Sequence, residues 1–459
     1  MAASDVVCRV GQAVSGENVM QNKIGEPAER SSWAGPAQEY VRISMRGQLA
    51  FNGYWWEDPA RVMLFFILPL YALISIELLG DQKAIGQLYF NGFYALVAAL
   101  FLITILAASY FGRTVTPRAG QEPVEISRWV LDALFVLSLI GYLTMMSGVI
   151  AHPALILSFF SGDASAYDLI AAKGRIAGIS TLTQVAVAYV PLYFYVFRQP
   201  ERGITRYKIY LLVLLGLALL RSFIFAERLA LIELVIPLVL MLVKFRRSHR
   251  TPSRILKLGP YAAIVPLIGF FIANEYNRSW ETYYINVYSN IFEFALERLA
   301  LYYSTALNNG AGVLKILGWG VGEPVFTLDW LFRFPILGDL LLAHPDFNAD
   351  YVAFLSNNAD PEFNNPSGIF VHFYEWGWFA LFVAAFIGWV FNRSYSGWRS
   401  SNGFWCCAHP VLMVSLFEIL RVPILFSGRN FVSVAMLIIV FRFFRTRPVR
   451  PTRTVASQY

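Results

Sequence analysis

Ten long apolar runs separated by polar stretches set the plan of this chain. A helix crosses the hydrocarbon core of a bilayer in roughly 20 apolar residues. On that length the runs predict spans near 61–79, 88–111, 128–150, 177–197, 207–224, 228–244, 258–274, 367–391, 403–422 and 425–442. The expected fold is therefore all-α, a polytopic transmembrane helix bundle of about ten spans. Residues 1–59 read as a polar, partly disordered cytoplasmic tail without the charged, apolar and small-residue zones of a signal peptide. Residues 60–442 form the transmembrane domain, and 443–459 a basic cytoplasmic tail.

Charge then orients the bundle. With the N-terminus inside, roughly 26 of the 37 Lys and Arg residues fall on cytoplasmic segments, including the short connections from Arg198 to Lys208 and from Lys244 to Lys257. Both termini are expected in the cytoplasm. Two outer connections are long: 151–176, and 275–366, which has room for helices of its own. The work of the protein is expected on that outer face.

Within the long loop, INVYSNIFEFALERLALYYSTALNNG has the apolar density of a helix, with Asn308-Asn309-Gly310 as a C-terminal stop. Arg298, Tyr302, Thr305 and Asn309 recur at i, i+4, i+7 and i+11. They share one helical face, which either lines a cavity or faces solvent.

Composition removes other classes. Hydrophobic residues make up 57% of the chain and charged residues 15%, too apolar for a soluble domain of this length. The net charge of +7 lies in short clusters between apolar runs, the pattern of topology signals and not of nucleic-acid binding. Cys8, Cys406 and Cys407 suggest neither a disulfide nor a metal site. No phosphate-binding glycine loop, zinc-type His spacing or Ser nucleophile elbow is present.

Ionisable residues gather at the outer ends of the runs. Arg221 sits about a turn inside one of them, where a guanidinium needs a partner or a polar cavity. Glu227, Glu233 or an anionic ligand from outside could supply it. Arg228 follows, and EILRVPILFSGRN repeats the theme with Glu418, Arg421 and Arg429. Glu418 and Arg421 are i,i+3 neighbours able to pair, whereas Arg429 has no local partner. Arginines at two outer turns suit a lipid pyrophosphate, because guanidinium offers planar, bidentate bonds and keeps its proton. Arg221, Arg228, Arg421 and Arg429 are the candidates for that contact. NEYNRSWETYY places Glu275, Arg278 and Trp280 after the seventh span, either as an interfacial belt or as catalytic and sugar-binding groups. In NNPSGIFVHFYEWGWFALFV, His372 and Glu375 lie three apart, and either could accept a proton from a hydroxyl nucleophile.

LLRSFIFAERLALIELVIPL, EYNRSWETYY with RLALYYSTALNNG, and PSGIFVHFYEWGWFALFV together resemble the Wzy-type O-antigen or repeat-unit polysaccharide polymerases of bacterial inner membranes, relatives of the WaaL-type ligases. The resemblance spans most of the chain after residue 200. It implies a membrane glycosyltransferase of the C type with a large helical periplasmic loop, moving a glycan from undecaprenyl pyrophosphate to a hydroxyl of a second lipid-linked unit. No cofactor, metal or nucleic acid is implied; membrane lipid and a chain-length regulator are the implied partners. Arg298, His372, Glu375 and Glu275 become the catalytic candidates, and Arg278, Trp280, Tyr302 and Asn309 the glycan-binding ones. An O-antigen ligase and a polysaccharide flippase are the alternatives.

Overall fold

The computed structural model describes residues 53–80, 87–111, 124–161, 169, 171, 174, 176, 178–197, 205–246, 253–276, 279–280, 284–332, 347–359, 362–401 and 403–446. These lie in one compact unit, Asn52–Tyr459. The expected tails, apart from their inner ends, and Arg278 lie outside the described residues.

A helix lies within each expected span. We label α1 (Pro59–Gly80), α2 (Gly92–Phe111), α3 (Trp129–Ala151), α4 (Pro153–Ser161), α5 (Val185–Val196), α6 (Thr205–Ile224), α7 (Arg228–Arg246), α8 (Gly259–Glu275), α9 (Ile291–Ile316), α10 (Phe347–Asn358), α11 (Phe370–Ser400), α12 (Gly403–Phe417) and α13 (Gly428–Phe443). Five of them, α1, α2, α3, α6 and α11, are long and apolar enough to cross a membrane, which suggests a membrane protein. The others at expected spans are shorter or more charged. α5, α8, α12 and α13 have 12, 17, 15 and 16 residues. α7 carries Arg228, Glu233, Lys244 and Arg246 in 19 residues.

Local chemistry sets the ends. Asp58 caps α1, its side chain accepting from the Ala60 N–H at 3.1 Å, with Pro59 at the first helical position where its missing N–H costs nothing. Before it, the Trp55 and Trp56 indoles donate to the carbonyls of Lys257 and Leu256 at 2.6 and 2.8 Å. The inner end of the N-terminal tail is thus held beneath α8. The only strand pairing among the described residues, antiparallel Glu125–Ile126 with Arg445–Thr446, lies at this same tail end of the bundle.

At the opposite, loop end, α9 departs from its expected stop. It continues through Asn308-Asn309-Gly310 to Ile316, because these residues are used for packing and not for termination. A Cβ on Gly310 would come within 2.6 to 2.8 Å of Phe370 and the Pro366 carbonyl, so glycine lets α9 approach the start of α11. The Asn308 side-chain Oδ1 accepts the N–H groups of Tyr89 and Phe90 at 2.7 and 3.1 Å, satisfying backbone just before α2. A second departure concerns α12, which ends at Phe417, leaving Arg421 in the connection to α13.

α11 is broken at Gly377, whose φ of +55° only glycine adopts without strain, followed by a short 3₁₀ turn. The carbonyls freed there are taken up from outside the helix. Gly320, Val321 and Gly322 donate their N–H groups to Phe373, Tyr374 and Glu375 at 3.1, 2.8 and 3.0 Å.

Candidate functional site

The loop end collects arginines and glutamates from α6 to α13 into two linked clusters. In the first, Glu275, the last residue of α8, is fully buried between two guanidinium groups: Arg298 Nε at 2.7 Å and Arg228 Nη1 at 3.0 Å. Ser279 donates its hydroxyl to the same carboxylate at 2.6 Å. Arg298 also pairs with Glu362 through Nη2. Arg228, at the first turn of α7, donates to the Tyr302 hydroxyl at 2.7 Å and lies 4.1 Å over the Phe271 ring.

The electrostatics follow from this packing. Burial works against the charge on Arg298, but the Glu275 and Glu362 carboxylates outweigh it and hold its pKa above the ordinary value. The guanidinium is walled by the rings of Tyr284, Phe294 and Phe363 at 5.2 to 5.5 Å, where its attraction for an anion is stronger than in water.

The second cluster centres on Glu227, the residue before α7. It accepts from Arg221 Nε at 2.8 Å, and Arg429 lies 3.6 Å away. Thr183 takes a further bond from Arg221 at 3.0 Å, and Arg429 is 3.6 Å from Glu233. Of the two explanations for Arg221, an internal carboxylate or an anionic ligand from outside, Glu227 supplies the first. Arg429, without a neighbour in sequence, finds Glu227 and Glu233 across the bundle. Arg421 pairs with Glu418 at 2.9 Å, the i,i+3 contact expected, and its guanidinium lies 5.9 Å from the Tyr302 ring. Tyr302 therefore stands between the first cluster and the Arg421 turn.

The face of α9 that carries Arg298, Tyr302, Thr305 and Asn309 is buried along its length, so it is not a solvated face. Tyr302 meets Phe271 and Phe363 edge-on. Asn309 donates to the Phe363 carbonyl at 2.6 Å, tying α9 to the stretch before α11.

Three other candidates are placed in packing roles. His372 is buried, its ring stacked on Phe101 and edge-on to Phe426, both at 5.4 Å. Glu375 is buried and accepts the N–H groups of Phe326 and Thr327 at 2.6 and 2.9 Å, fixing the segment that folds over α11. Trp280 is buried against Phe294, which also walls Arg298. Neither His372 nor Glu375 takes part in the ion pairs of the two clusters among the described residues.

Sequence reasoning missed Glu362 and its contact with Tyr284. The Tyr284 hydroxyl donates to Glu362 at 3.0 Å, so both ends of the long connection meet at Arg298. Their separation of 78 residues in sequence leaves no local signal. Among the described residues no group of His, Cys, Asp and Glu side chains could hold a metal ion. No family profile, curated protein or solved structure matches this chain.

Proposed function

We propose that the chain is a membrane glycosyltransferase that polymerises undecaprenyl-pyrophosphate-linked oligosaccharide repeat units at the periplasmic face of a bacterial inner membrane. In this reading all ten helices at the expected spans cross the bilayer, both termini are cytoplasmic, and the loop end of the bundle is the periplasmic one. Five shorter or charged helices are accommodated by bundle packing and by the polar residues at the loop end.

The observation that carries the reading is the buried Arg228–Glu275–Arg298 chain with the Tyr302 hydroxyl, at the end where the long connection emerges. The reaction breaks the bond between the anomeric carbon of the growing glycan and its pyrophosphate oxygen. A hydroxyl of the second unit forms the new glycosidic bond and gives up its proton. Negative charge then develops on the leaving pyrophosphate, and fixed guanidinium groups in a water-poor setting stabilise that charge most. Arg228 and Arg298 are assigned to it, with Arg421 beside Tyr302 as a further contact. Glu275 positions both arginines, and of the proposed proton acceptors it is the one inside the cluster. The phenol and rings around Arg298 suit sugar faces.

Arg221 and Arg429 are assigned a supporting role, because their shared carboxylate Glu227 precedes Arg228 and sets where α7 begins. The test is deletion of the gene in its own host, with surface polysaccharide resolved on a gel. Lipid bearing single repeat units supports a polymerase. Absence of any repeat unit, with lipid-linked polymer accumulating, indicates a ligase. Unpolymerised lipid-linked units retained on the inner leaflet indicate a flippase.

A further inference from the structure

α11, one of the five helices long and apolar enough to cross a membrane, has an outward face unlike that of its neighbour. Between Trp378 and Trp389 the residues that stand more than half exposed are Trp378, Phe379, Phe382, Phe386 and Trp389, all aromatic. The middle of α2, packed against the back of α11, exposes Leu96, Leu100 and Ile103. Phe379, Phe382, Phe386 and Trp389 follow one another at spacings of three and four, so they share one stripe, and Arg393 continues it by a further turn. Behind the stripe the helix is fixed. A Cβ on Gly388 would meet the Ile105 carbonyl and the Ala108 side chain at 2.5 and 2.6 Å, so glycine there lets α11 lie close against α2.

Two groups on this ridge carry hydrogen-bond donors that the chain does not use. The Trp389 indole N–H meets no acceptor among the described residues, and the exposed Arg393 meets no carboxylate among them. Trp389 lies about 15 Å along the helix from Phe379, half of a hydrocarbon core about 30 Å thick. Acyl chains offer an indole N–H at that depth no acceptor. The Arg393 guanidinium, one turn further on, reaches headgroups only by extending its stem along the helix. Lipid alone therefore covers the rings and leaves the donors unsatisfied.

We propose that this ridge is the docking face for a transmembrane helix of another protein, with an apolar side, a hydrogen-bond acceptor opposite Trp389 and a carboxylate opposite Arg393. A second copy of this chain, laid ridge to ridge in the same orientation, sets donors against donors and Arg393 against Arg393. The partner is recognised by its acceptor and its negative charge, while the rings supply contact area. The inference is independent of the reaction assigned to the loop end.

The test is made in the native host, with the full chain carrying photoreactive benzoylphenylalanine in place of Phe386 and, as a lipid-facing control, in place of Leu100. Light is expected to join position 386, and not position 100, to one membrane protein that has an acidic residue in its spanning segment. Arg393→Glu should lower the yield about fivefold or more at matched protein level, and changing that acidic residue of the captured protein to Arg should restore it. Should Arg393→Glu fail to accumulate, Arg393→Gln decides, with a severalfold loss expected. Adducts with lipid alone, adducts with a second copy, or equal capture from both positions overturn the proposal. A yield that ignores the Arg393 variants, or that the reversed charge does not restore, overturns it as well.

Discussion

Glu275, at the end of α8, and Arg298, in α9, meet at 2.7 Å, and both are buried. Removing Arg298 takes from buried Glu275 the nearer of its two guanidinium partners, and from Glu362 its contact with the same group. Arg298→Ala is therefore expected to destabilise the protein by about 3–5 kcal/mol and to abolish long-chain polysaccharide. Arg298→Lys keeps the charge but loses the planar fork. It should recover much of the stability, measured by thermal unfolding in detergent, while long chains stay absent at matched protein level.

Glu227 holds two arginines that come from α6 and α13. Glu227→Gln is expected to leave Arg221 and Arg429 in excess and to cost about 1–3 kcal/mol. A double-mutant cycle of Glu227→Gln with Arg429→Gln tests the contact. A coupling of about 0.5 kcal/mol or more supports it, and additive losses would show that the two residues act separately.

His372 fits between Phe101 and Phe426 as an aromatic ring. His372→Phe is expected to preserve surface polysaccharide at or near the unaltered level, because the ring contacts survive. His372→Ala should leave a cavity and lower stability by about 3 kcal/mol. Loss of polymer in His372→Phe at normal protein level would restore the residue as a proton acceptor.

Gly310 is in contact with the start of α11. Gly310→Leu should force α9 and α11 apart, costing about 1–3 kcal/mol, or more if backbone must shift. Reduced accumulation in the membrane, with a proteolytic site opened in the connection before Phe370, is the expected readout.

Apolar run length made the helices legible, because the cost of unsatisfied backbone in lipid leaves few other structures for such segments. The Glu418–Arg421 pair was legible because a separation of three residues brings the two side chains together locally, here in the turn that follows α12. The face of Arg298, Tyr302, Thr305 and Asn309 was legible as a face, but whether it met water or protein depended on Phe271 and Phe363, distant in sequence. Asn308-Asn309-Gly310 read as a stop because propensity favours that reading. Tertiary contacts with Tyr89, Phe90 and Phe370 overrode it. The partners of Arg429 and the second carboxylate on Arg298 were hidden, since nothing along the chain encodes a contact made only after assembly.

The two kinds of ion pair differ in when they can exist. Arg221 with Glu227, and Arg421 with Glu418, are joined within six residues and three residues. Each can neutralise itself as its hairpin enters the bilayer, before any other helix is beside it. Arg228 with Glu275, and Arg298 with Glu362, need residues that are synthesised 47 and 64 positions later. In the proposed orientation, the nascent chain carries its first arginines across the bilayer already discharged by neighbours. The proposed transfer site acquires its last counter-charge only when the chain has been made as far as Glu362, so a chain that stops short of it lacks the second carboxylate on Arg298.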